Sequence, residues 1–233
     1  MKPTSGSLSK SAHGTTDGGE EGRPVLTSVR TGHGRDSTGA DPTRPEPAAA
    51  WMLPALAAAL ATELRRRADQ EQDLMRRAQA EPTPQRRHDI AACRHANTEA
   101  LKTIVRNHGW PTTDQVGDPA STAALMILLH ASDLDFQLVC RDLIAEAVLE
   151  GRCSAVHLAY IADHCAVEQG QPQFYGTRVS PETLRPYPIR QPQTLDERRH
   201  DVGLKPLAEQ TKALRLVAGT RSCSVGPREC GGA

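Results

Sequence analysis

Aromatic side chains are the scarcest feature of this sequence: two Trp, three Tyr and two Phe in 233 residues. Any core must therefore be built from Leu, Ala, Val and Ile. An excess of charge is also missing, since Lys plus Arg and Asp plus Glu both number 28. Proteins dedicated to DNA or RNA normally carry a basic excess or face. The balance argues against nucleic acid as the partner and leaves only local clusters such as Arg65–Arg67 in its favour. No apolar run reaches the roughly 20 residues of a membrane span. The best, Ala48 to Ala61, is interrupted by Pro54 and follows Glu46 rather than a basic stretch. Met1 to Gly14 lacks the apolar segment of a signal peptide. These absences predict a cytoplasmic protein without a membrane partner.

Several chemical signatures are absent as well. The six cysteines, Cys93, Cys140, Cys153, Cys165, Cys223 and Cys230, include no C-x-x-C pair. Their irregular spacing reads as reduced thiols acting as small core or surface residues. There is no H-E-x-x-H, no G-x-S-x-G, no P-loop and no G-x-G-x-x-G. His157 and His164 share a predicted helix but lie two turns, roughly 10 Å, apart. One ion cannot be chelated by both from a single helix. We therefore expect no metal and no cofactor.

What is present is helical periodicity between about Pro54 and Gln210. Met1 to Ala50 is rich in Gly, Ser, Thr, Pro and Asp and has too few apolar residues to offset the entropy of ordering. It is expected to be disordered, with residues 211–233 a flexible tail. A first helix is predicted over 54–80, where Leu56, Leu60, Leu64, Ala68, Glu71 and Met75 recur at helical spacing. A second covers 85–107, with Ile90, Cys93, Asn97, Leu101 and Ile104 on one stripe and Gly109 as its stop. The third, 120–131, is apolar nearly all round and belongs at the centre of a fold. Ser132 or Asp133 caps a fourth over 134–150, and a fifth follows over 154–167. Gln171 to Gln193 then turns proline-rich and irregular, with two short strands expected there, before a last short helix from Leu195. The fold class is thus mainly α: one domain of five to six helices, residues 54–210, with a short irregular, β-containing C-terminal segment and disordered ends.

Three polar residues occupy positions where this periodicity predicts burial: Asn97, His130 and Asp163. Each needs a partner, because burying an unpaired polar group costs several kcal/mol on transfer scales. His130 is the candidate acid or base. Its pKa would be pushed down by burial and up by a neighbouring carboxylate. Asp133, three residues on, or Asp163, from the fifth helix, could supply that carboxylate. Gln173, Tyr175, Thr177, Asn97 and Arg199 are the candidate ligand-binding residues, with Arg199 able to fork onto a carboxylate such as Asp163 or onto an anionic ligand group.

Read in order, the landmarks resemble a bacterial family catalogued as domain of unknown function 6624. They are Asp69-Gln70, Asn97, Gly109-Trp-Pro111, Val116-Gly117, His130-Ala131 with Asp133, Ala159 with Asp163, Gln173-Phe-Tyr-Gly-Thr177, Pro188-Ile189, Asp196-Glu-Arg-Arg199 and Gly203-Leu-Lys-Pro-Leu207. Three positions depart from the pattern. Leu129 stands where the family has Gln, His164 where it has Arg, and Arg178 where it has Gln. The resemblance implies the fold and the candidate residues, and it implies no reaction.

Two functions fit these residues. One is a hydrolase or related acid–base enzyme that uses His130 with a carboxylate on a small molecule or peptide. The alternative is a non-catalytic module that binds a ligand or protein partner, in which the same side chains form a structural network.

Overall fold

A computed structural model of the chain describes residues 53–222, with side chains described for residues 53–216. The expected disorder of 1–50, and Cys223 and Cys230, lie outside the described residues. Helix α1 runs Pro54–Ala80 and α2 Pro84–His108. A one-turn α3, Thr113–Val116, leads into α4, Asp118–Leu129, then α5, Leu134–Leu149, and α6, Ala155–Glu168. A 3-10 turn at Pro192–Thr194 precedes α7, Leu195–Asp201, and α8, Leu207–Ser222.

The helix ends follow local chemistry. Pro54, Pro84 and Pro119 all sit in first turns, where the missing N–H would have no partner anyway. The Thr83 hydroxyl accepts from Arg86 N–H at 3.2 Å to open α2. Asp133 caps α5 by accepting from Phe136 N–H at 3.0 Å. Ser154 caps α6 by accepting from Val156 N–H at 3.3 Å. Gly109 closes α2 at φ +75°, where a Cβ would be strained.

Helix α4 is the centre of the domain, as its continuous apolar sequence requires. It packs against α1, α2, α3 and α6. Seven of its twelve residues are buried, including Ala124, Leu125, Ile127 and Leu128. Helices α1 and α2 form an antiparallel hairpin across it, and α5 pairs with α6. The core is aliphatic: Leu64, Leu101, Ile144 and Ile161 are each at most 1% exposed, and Trp110 is its one buried aromatic among the described residues.

Two expectations are corrected. The segment from Gln171 to Gln193 contains no strand among the described residues, only isolated bridges pairing Gln173 with Ile189 and Val179 with Pro186. Its prolines remove the donors a ladder would need. Among the described residues the α-helices number eight rather than five or six. The additions are the short α3 and α8, and α8 continues through residues read from sequence as a loose tail beginning at 211. No described helix is long and apolar enough to cross a membrane.

Candidate functional site

Glu71 lies in the middle of α1, on the stripe that faces the core, and is 3% exposed. An ionised carboxylate in such a place must be paired or it neutralises. Three groups meet it. His130 Nδ1 is 2.7 Å from Oε1. Arg94 donates from Nε to Oε1 at 2.8 Å. Asn97 donates from Nδ2 to Oε2 at 3.2 Å. Arg67 adds a second layer, donating to the Asn97 Oδ1 at 3.3 Å and lying 2.8 Å from Glu63. The cluster therefore joins α1, α2 and the end of α4.

Burial by itself would push the Glu71 carboxyl up. The hydrogen bonds from His130 and Arg94, the charge on His130 and the hydrogen bond from Asn97 outweigh it, and hold the carboxyl down at about 2. Cys93 lies beside this cluster, its sulfur 3.6 Å from Asn97 Nδ2. Burial and the Glu71 charge both push its thiol up.

His130 is the residue that ends α4, its backbone N–H bonded to Ile127 O at 3.2 Å. Buried Gln137 holds this end in place. Its amide nitrogen lies 2.9 Å from both Leu128 O and Ala131 O, the carbonyls on either side of the histidine. The sequence predicts a fully buried histidine, but the side chain is 28% exposed. A carboxylate only accepts, so contact with Glu71 places the proton on Nδ1. Nε2 then carries the lone pair, and it has no hydrogen-bond partner among the described residues. This arrangement can take a proton at Nε2 and return it, with Glu71 stabilising the imidazolium.

Asp163 organises a different region. It is fully buried on α6 and accepts four close hydrogen bonds: from Phe174 N–H at 2.7 Å, Tyr175 N–H at 3.0 Å, Thr177 N–H at 2.8 Å and Thr177 Oγ1 at 2.9 Å. The loop that wraps it turns at Gly176, φ +66°, where an added Cβ would lie 3.1 Å from Ile189 Cδ1. Gln173 pins the same loop. It donates to Arg178 O and Tyr187 O and accepts from Arg178 N–H. Arg199 is 1% exposed and spreads its guanidinium over Lys205 O, Tyr175 O and Gln210 Oε1. The Tyr175 side chain is half-buried, and burial followed by the Asp163 charge pushes its phenol up.

The candidate residues therefore fall into two groups and one outlier. Asn97 and His130 meet around Glu71. Asp163, Gln173, Tyr175, Thr177 and Arg199 meet around the 173–177 loop, with Arg199 on carbonyls rather than on Asp163. Asp133 stands apart as a helix cap, 2.8 Å from Lys102. The carboxylate on His130 is neither of the two aspartates considered from sequence. Glu71 and Arg94 were missed. The available signal was a glutamate on an otherwise apolar helical stripe.

His164, one of the three departures, abuts Gln137, their Nε2 atoms 3.0 Å apart. Burial, then the charge of Arg178, pulls this imidazole down to about 4; Glu168 opposes them, and His130 adds a smaller downward pull. Two surface grooves, of about 690 and 730 Å³, lie elsewhere. One follows the Thr62–Arg77 face of α1, and the other is lined by residues of 186–216 such as Ile189, Leu207 and Leu216. Among the described residues no group of three or more His, Cys, Asp or Glu side chains is placed to hold a metal ion.

The model of a family of unknown function, DUF6624, matches residues 59–222, and the chain belongs to that family. The match spans α1 to α8 and includes both polar groups. No curated protein and no solved structure matches the chain.

Proposed function

We propose that this member of the DUF6624 family is an acid–base enzyme, a hydrolase or a relative of one, acting on a small molecule or peptide through His130. The observation that carries this reading is the 2.7 Å contact between Glu71 and His130 Nδ1, on a ring whose Nε2 is unengaged and whose side chain is partly exposed. His130 is the general base, and after taking a proton it is the general acid. Glu71 fixes its tautomer and stabilises its charged form. Asn97 and Arg94 hold Glu71 in place. Arg94, with its side chain 35% exposed, also brings a cation to the side of the cluster where an anionic group of the substrate would be held. The 173–177 loop, with Asp163, Gln173 and Arg199, is a structural network of the fold.

General acid–base catalysis contributes typically 10²–10⁴-fold. Wild type should turn over at least one of a panel of chromogenic carboxylic esters, phosphate esters and peptide amides. His130→Gln and Glu71→Gln should each lose roughly 10²-fold or more on it. Equal turnover by wild type and His130→Gln would remove His130 from the mechanism.

A second reading is a non-catalytic module. It is favoured by the saturation of the Asp163 network and by the position of both grooves away from His130. On that reading no substrate of the panel is turned over, and changes lining the 186–216 groove, not His130→Gln, weaken ligand or partner binding.

A further inference from the structure

Cys153 immediately precedes the N-cap of α6, a helix of 14 residues. Its sulfur therefore sits beside the positive end of the helix. One turn later, His157 points back, with Nδ1 3.5 Å from the sulfur. His157 Nε2 is 3.1 Å from Thr122 Oγ1 on α4. The two contacts admit a tautomer in which Nε2–H donates to Thr122 and Nδ1 accepts from the thiol. The Ser121 hydroxyl and the Trp110 indole N–H, 0% and 4% exposed, face the same sulfur. Apart from that sulfur, a weak acceptor, neither has a hydrogen-bond partner among the described residues. Buried donors are nearly always satisfied, and unsatisfied ones mark water, an ion or chemistry. Trp110 belongs to the Gly109-Trp-Pro111 landmark, which the His130 site does not use.

We propose that Cys153 is a second chemical site, a peroxide-reactive thiol served by His157 and able to take one oxygen from hydrogen peroxide or a small hydroperoxide. The thiol gives its proton to His157 Nδ1. The sulfur lone pair attacks the nearer peroxide oxygen, and the O–O bond breaks. The departing oxygen takes the proton from His157 and leaves as water or an alcohol. Sulfur loses two electrons and the peroxide gains them, leaving a sulfenic acid. Its new oxygen is a stronger acceptor for Ser121 and Trp110 than the resting thiol.

The other described cysteines have none of this. Cys140 is fully buried and burial pushes its thiol up to about 12. Cys165 is 1% exposed and is likewise pushed up, burial leading. Cys93 faces the negative charge of Glu71. Burial pushes the Cys153 thiol up too and His157 down, so the resting pair is a neutral thiol on a neutral imidazole. The proton moves only as the peroxide arrives. With 9% exposure, the sulfur admits small oxidants only.

The test treats the full chain with hydrogen peroxide, removes the peroxide with catalase, unfolds the protein in urea with dimedone and reads each cysteine by peptide mass spectrometry. Cys153 should be labelled at least tenfold faster than Cys140 and Cys165, and faster than the more exposed Cys93. His157→Gln should slow Cys153 about tenfold and leave Cys93 unchanged. Should that variant not fold, Thr122→Val removes only the hydroxyl that orients His157 and should slow Cys153 severalfold. Labelling of Cys153 no faster than that of Cys140 and Cys165, or an unchanged rate in a folded His157→Gln or Thr122→Val, overturns the proposal.

Discussion

Glu71 and His130 meet at 2.7 Å across the interface between the middle of α1 and the end of α4. The contact fixes the imidazole tautomer and gives a deeply buried carboxylate a hydrogen-bond donor, while Arg94 brings its counter-charge. Arg94 shares the same oxygen, so Glu71 is a hub rather than half of a pair. Removing its charge should leave Arg94 and His130 facing a neutral amide inside the protein. Breaking one side of a buried pair commonly costs 3–5 kcal/mol, and the partial exposure of Arg94 and His130 reduces that. Glu71→Gln should therefore lose about 2–3 kcal/mol in urea unfolding at pH 7. A midpoint identical to wild type would show that the hub contributes nothing to folding.

Acid should weaken the protein in two stages. His164 is held at about 4 against an ordinary value of 6.5. Below pH 6.5 the unfolded chain binds a proton there that the folded chain does not, so stability falls as pH drops from 6.5 to 4. Glu71 is held at about 2 against 4.5. Its contribution is complete above pH 4.5 and is lost as pH falls toward 2. Each stage is worth about 3 kcal/mol at most. His164→Gln should flatten the upper stage and leave the lower one, as read from urea midpoints between pH 7.5 and pH 3. An upper stage that persists in this variant would assign it to another group, with His157, also pulled down by burial, the first to examine.

The helices were legible because their signals are local. Periodicity, Gly109, Asp133 and the prolines mark ends within a few residues of where they fall, and the apolar run of α4 announces a central helix. The partners were not legible. Asn97 and Asp163 are buried as the stripes require, yet which carboxylate meets His130 depends on how α1 crosses α4, a contact between residues far apart in sequence. Glu71 is visible on its stripe, but the stripe alone does not say which groups of α2 and α4 it meets. The supposed strands at 171–193 fail for a related reason. Asp163 and Gln173 satisfy that segment's backbone from side chains, so it needs no ladder.

Asp163 should matter more to the 173–177 loop than to the rest of the domain. Its two oxygens face only donors, three of them backbone N–H groups. Asp163→Asn replaces one oxygen by an NH2 group that meets those donors head-on. Leaving buried donors unsatisfied beside a lost charge should cost about 3 kcal/mol. Hydrogen exchange should show the amides of Phe174, Tyr175 and Thr177 losing protection first, while Leu125 and Leu128 in α4 exchange only with global unfolding. Uniform loss of protection would mean that the loop and the helical core unfold as one unit.

Arg199 is the tie between α7, the 173–177 loop and the start of α8. Its Nε and one terminal nitrogen reach the carbonyls of Lys205 and Tyr175, and the other terminal nitrogen reaches Gln210 Oε1 at 2.6 Å. Burial pulls the guanidinium pKa down, against the pull of Asp196, Tyr160 and Asp163. Only a planar fork can serve three acceptors in divergent directions. Lysine has one nitrogen on a flexible stem and cannot span them. Arg199→Lys should therefore keep the positive charge and still lose about 2–3 kcal/mol, since at least two buried acceptors go unpaired. Because Gln210 lies in the first turn of α8, limited proteolysis should cut the variant between Gly203 and Gln210 well before it cuts α1 or α2. Resistance there equal to wild type would show that α8 is held by its apolar contacts with Leu195 and Ile189, and that the arginine is dispensable to it.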